Sequence, residues 1–201
     1  MPEERTRLDA YHHWAKQRID EMDATLASLE AKAGKLSVES KMKADQLVAD
    51  LKKRRDEFRA KAKGNAQVSG AALQKAKTQL ESQWDGFEAQ VKAYFKTAGK
   101  QVGQQQATFR AVATAQAKAW RETADKLRAQ AANAAAVRRV DIHGAIEQMK
   151  ADAAATEARL RKLRQAGSES WSSLSGALAK SRKAFDRANQ AACDALKRAA
   201  A

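Results

Sequence analysis

Few residues in this chain combine the type and spacing that chemistry requires. Asp9-x-x-His12 is the nearest approach to the carboxylate–histidine pairs with which helical bundles hold two metal ions, and a full site needs several such pairs converging. His12 falls on an apolar row with His13 beside it, so one packed and one solvated histidine is the plainer reading. His143 and Glu147 stand one helical turn apart, which makes a surface pair. Cys193, the single cysteine, lies in an alanine-rich stretch with no histidine near it in sequence. It reads as a small packing residue rather than a nucleophile. It also rules out an intramolecular disulfide and a four-cysteine zinc site, which suits a reducing cytosol. No glycine-rich loop follows a strand, so neither phosphate-binding fingerprint applies. The expectation is a protein without catalytic residues, metal or cofactor.

Positive charge is the feature with more to offer. Lys52, Lys53, Arg54 and Arg55 form a run continued by Arg59, Lys61 and Lys63, and Arg159, Arg161, Lys162 and Arg164 form a second. Such clusters are candidate anion-binding sites whose affinity would fall steeply with salt. Asp50, Asp56 and Glu57 interleave with the first run and can pair with Arg54 and Lys61 at i,i+4 spacing, so a solvated helix face is the competing reading. Over the chain, 38 Lys and Arg stand against 24 Asp and Glu, a formal charge of +14. The excess is +5 in residues 1–100 and +9 in residues 101–201. A polyanionic partner fits that balance. No helix-turn-helix, finger or basic-zipper pattern is present, which ranks nucleic acid below other anionic surfaces.

The elements that must carry these residues are helices. Much of the 44% apolar fraction is alanine, only 5% of residues are aromatic, and the sole proline is Pro2. That composition predicts long helices joined along narrow seams. Leu8, Ala15, Met22, Leu29 and Leu36 recur every seven residues, and His12, Ile19, Leu26 and Ala33 do so four positions later. Leu51 and Phe58 continue the seam after a stutter. Leu80, Trp84 and Phe87 take it up after glycines 64 and 70; Gly99 and Gly103 bracket the midpoint. Trp120, Leu127, Ile146, Leu160 and Leu163 then lead to Gly167 and Ser168, a stop-and-start pair before Trp171, Leu178 and Phe185. Gly34 and Ser37 could divide the first stretch. The absence of glycine and proline between Gly103 and Gly144 favours instead a long helix, a glycine turn and a shorter return helix in each half. A helix from about residue 5 to 63 would be roughly 90 Å long.

The halves also resemble one another. Trp14 corresponds to Trp120, and the basic run before Gly64 to that before Gly167, at an offset of 102–106 residues. Two tandem units, 1–100 and 101–201, are therefore expected. Within the first, Tyr11, the stretch IDEMDATLASLEAKA and the stretch LKKRRDEF resemble the small bacterial coiled-coil proteins labelled a stress-response family. The stretch ESWSSLSGALAKSRKAFDRA resembles that family's second helix. The resemblance implies a bacterial, cytosolic, non-enzymatic protein linked to stress. The chain departs from the family in its two copies and its positive excess.

The reading is thus an all-α, elongated protein of long antiparallel helical hairpins or coiled coils. Its function would be structural or interactive, with self-association burying further seam surface. Trp14, Trp84, Phe87, Trp120, Trp171 and Phe185, flanked by Lys and Arg, supply the main alternative: a face lying on anionic lipid or on a polyester granule, as phasins do. Nonspecific nucleic-acid binding is the third reading. The charged start lacks a signal-peptide core and no apolar stretch approaches a membrane span, so a cytoplasmic location is expected.

Overall fold

The helices stop sooner than the heptad rows predict. The structure, a computed structural model, describes residues 2–31, 38–65, 68, 70–97, 102–132, 139–166 and 170–200. Among the described residues are six α-helices and no strand: α1 (Pro2–Glu30), α2 (Val38–Gly64), α3 (Gly70–Thr97), α4 (Val102–Ala131), α5 (Arg139–Ala166) and α6 (Trp171–Ala200). The fold is an all-α bundle of antiparallel hairpins.

The single helix from residue 5 to 63 is overturned. The chain reverses between Glu30 and Val38, which brings Tyr11 Oη to the Ala62 carbonyl at 3.5 Å and the Trp14 ring to Phe58 at 6.0 Å. A second reversal, between Ala131 and Arg139, divides the long helix expected after the midpoint. Local propensity permits the long helices, since no glycine or proline interrupts the second stretch. Burial decides against them: folding back covers the apolar rows that an extended rod would leave in water. Each helix is then about 40–45 Å long.

Punctuation worked where a backbone conformation demanded it. Gly64 is the last residue of α2, with Lys61 and Lys63 in the final turn, and Gly70 opens α3 at φ +61°. Gly103 is not a stop but the second residue of α4. Gly34, Ser37, Gly99, Gly167 and Ser168 lie outside the described residues. The cap of α6 is Ser170, whose Oγ accepts the Ser173 N–H at 3.4 Å.

Helix α1 occupies the centre, packed against α2, α3, α4 and α6. Its apolar row joins α2 and α3 in one core containing Met22, Leu26, Leu29, Leu51, Phe58, Leu80, Trp84 and Phe87. A second core gathers Trp120, Leu127, Ile146 and Phe185 from α4, α5 and α6, and reaches across to Ala10. A third, between α4, α5 and α6, contains Leu160 and Leu178 with Leu163 and Trp171 half-buried against it. Leu8 and Ile19 are half-buried beside the first. The seams are consumed within one chain, so further pairing is not required to cover them. Among the described residues only Met42, Val102 and Val140 are large, apolar and exposed.

Candidate functional site

The packing of α5 against α6 leaves a groove of about 740 Å³. Its floor is small and apolar, from Leu160, Leu163, Ala177 and Ala184. Its rims carry four exposed cations: Arg159 from α5 and Lys180, Lys183 and Arg187 from α6. The three α6 cations sit at i, i+3 and i+7, one face of the helix, spanning roughly 10 Å along its axis. No carboxylate lines the groove, and none of the four cations is ion-paired among the described residues. Two acids of the same helices face elsewhere. Glu157 reaches Arg121 at 3.7 Å, and Asp186 binds Arg18 at 2.7 Å. Hydroxyls complete the lining. Ser172 and Ser173 are exposed at the start of α6, whereas Ser181 is buried, its Oγ without a hydrogen-bond partner.

The basic run on α2 is arranged differently. Lys52 pairs with Glu30, and Arg55 with Asp23 and Asp56. Arg59 lies 2.7 Å from the same Asp23. Acids of α1 therefore neutralise much of this run across the helix interface. Lys53 and Arg54 are exposed beside them. In the α5 run only Arg159 enters the groove; Arg161 and Lys162 are exposed on α5, and the Arg164 side chain lies outside the described residues.

The reading of one packed and one solvated histidine is corrected, since neither is exposed. His13 is the buried one, Nδ1 lying 3.0 Å from Asn189 Oδ1, while His12 is half-buried with Nε2 unpartnered. α6 covers the face that sequence assigned to solvent. His143 is exposed, and Glu147 binds Lys150 at 2.6 Å. Cys193 is buried in the second core; desolvation pushes its thiol up to about 12, which leaves it protonated and inert. Among the described residues no group of three or more His, Cys, Asp or Glu is placed to hold a metal ion.

A buried charge network, unforeseen from sequence, joins the halves. Glu21 of α1 is completely buried and accepts from Arg182 Nε of α6 at 2.8 Å. Arg182 also reaches Glu88 of α3 at 2.7 Å and lies over the Trp84 ring, 4.6 Å from its centroid. Arg18 binds Asp186 and approaches the rings of Trp14 and Trp84. Burial lifts the Glu21 carboxyl above its ordinary value, opposed by Arg182 and Arg18. Sliding α6 by one turn would part Glu21 from Arg182, the cation that hydrogen-bonds it, leaving only Arg18 of its own helix nearby, so the network fixes the register of α6 on α1 and α3. A signal was present. Trp14, Arg18, Glu21 and Thr25 recur at the same 4-3-4 spacing as the apolar seam and mark a second buried face of α1.

Comparison of the chain with protein-family models, curated proteins and solved structures gave no match.

Proposed function

We propose that this chain is a non-enzymatic binding protein that holds the phosphate backbone of a single-stranded nucleic acid in the α5–α6 groove. The observation that carries this reading is the set of four exposed cations on the rims of a concave channel which, among the described residues, has no lining carboxylate and no ion pair to any of the four. Low-dielectric walls concentrate that positive potential, and a chain of phosphates can follow a channel that a flat bilayer cannot enter. No aromatic ring lines it, so contact is to the backbone and not to the bases, without sequence preference.

Insertion into lipid or a granule surface has less support. Trp14, Trp84, Trp120, Phe87 and Phe185 are buried, and Trp171 is half-buried against Phe95 at 4.5 Å. Among the described residues no helix is long and apolar enough to cross a membrane. The duplication belongs to the same proposal. Helices of 29, 27 and 28 residues are followed by helices of 30, 28 and 30, with Trp14 and Trp120 on the first of each set. We read two copies of a three-helix unit, the first with its basic run neutralised by α1 and the second with its cations open.

Fluorescence anisotropy with a labelled single-stranded oligonucleotide tests the reading. Binding should weaken with salt at a log–log slope of about −2 to −3, as three or four phosphate contacts require. K180E/R187E should abolish it, and K53E/R54E should have little effect. Binding that is insensitive to salt or to K180E/R187E would overturn the reading. Flotation with anionic vesicles but no oligonucleotide binding would transfer the groove to lipid headgroups.

A further inference from the structure

A second cavity, of about 290 Å³, lies on another face of α6, bordered by α1, α3, α4 and α6 and adjoining the groove at Ser172 and Gly176. We infer that it is a binding site for a small neutral molecule with a flat apolar body and one N–H or O–H donor. Trp84, Phe87 and Val91 of α3 face Trp171 and Leu178 of α6 across it, giving ring walls suited to two or three linked aromatic rings. It opens to solvent beside Lys92 and Ser172, both exposed.

Glu21 supplies the polar anchor. Its side chain lines the cavity from α1, and while Oε2 accepts from Arg182, Oε1 is buried with no hydrogen-bond partner. Gln116 gives a hydrogen bond to the Leu178 carbonyl at 3.2 Å and, although its side chain also adjoins Glu21, makes none to Oε1. A buried carboxylate oxygen without a donor is costly, and a ligand N–H or O–H supplies the missing interaction. The charges beside it select against ions of either sign. The lining carries both signs, Glu21 and Glu88 against Arg182 and Lys92, so an ion of either sign meets a like charge there and must also shed its water. A neutral donor is repelled by neither.

Ser172 and Gly176 border both this site and the groove, but Ser175 and Ala179 line only the cavity, whereas Lys180, Lys183 and Arg187 line only the groove, so the two can be altered separately. The probe is N-phenyl-1-naphthylamine, which has linked rings, one N–H and emission that rises in apolar surroundings. Titrated into the full chain it should bind with a Kd on the order of 10 μM. 8-Anilinonaphthalene-1-sulfonate, with similar rings and a negative charge, should bind at least about tenfold more weakly. A179W and S175W, which fill the cavity, should each remove binding of the first probe while helical circular dichroism and oligonucleotide affinity stay unchanged. The inference is overturned if the neutral probe does not bind, if folded plugged variants bind it as the parent does, or if the sulfonate binds equally well. The sulfonate comparison needs no variant, so it decides the matter even where a tryptophan prevents folding.

Discussion

At the scale of single residues, the polar groups that matter are those the bundle has taken out of water. His13 is one. Desolvation lowers its pKa below the ordinary 6.5, with Lys126 and His12 acting in the same direction, against Asn189 and Asp9. The folded state therefore refuses a proton that the unfolded chain accepts. Stability linked to this histidine is complete above about pH 6.5 and lost as pH falls through the lower folded value. Urea unfolding between pH 8 and 5 should show the parent weakening more steeply than H13Q; parallel slopes would show that folding does not shift the His13 pKa. The identity of this buried histidine was not legible in the sequence. His12 and His13 are adjacent, and which of them faces inward depends on where α6 lies.

At the scale of elements, one substitution has opposite effects at two glycines. Gly70 holds φ at +61°, a conformation that costs a side-chain-bearing residue about 1–2 kcal/mol, so G70A should destabilise by that amount. Gly144 is exposed within α5, and a Cβ there would meet nothing within 4 Å, so G144A should stabilise by about 0.5–1 kcal/mol. Chemical denaturation of the two variants checks both signs, and shifts of the same sign would contradict these backbone assignments. Glycine at residues 64 and 70 was readable as punctuation because a left-handed residue and a helix end need it. The reversal after Ala131 had no such signal. Nothing local forbids α4 from continuing; its end follows from the burial of Leu127 and Ala131 with Ile142 and Ile146.

At the scale of the molecule, the bundle exposes 11000 Å², against roughly 9,300 Å² for a globular monomer of its mass. It is moderately elongated, as side-by-side helices require. Small-angle scattering should give a radius of gyration of about 17 Å or slightly more for the monomer. A 90 Å rod of the kind the heptad rows suggested would give a value above roughly 25 Å. The larger result would restore the long helices. The halves share α1 as a common element: it carries a row into the first core, meets α4 along its length and pairs with α6 through Glu21.

The sequence alone determined that the chain is helical, that each helix carries an apolar row, and that its second half carries the larger positive excess. These depend on residue type and on spacing of 3 to 4, which each segment possesses by itself. Tertiary structure decided where helices reverse, which basic run is neutralised, which histidine is buried, and that Glu21 and Arg182 meet across 161 residues of chain. Each of those depends on which helix covers which face. Helices with alanine-rich seams can meet in many registers with similar burial, and only the matching of buried charges and large side chains across the whole bundle selects one.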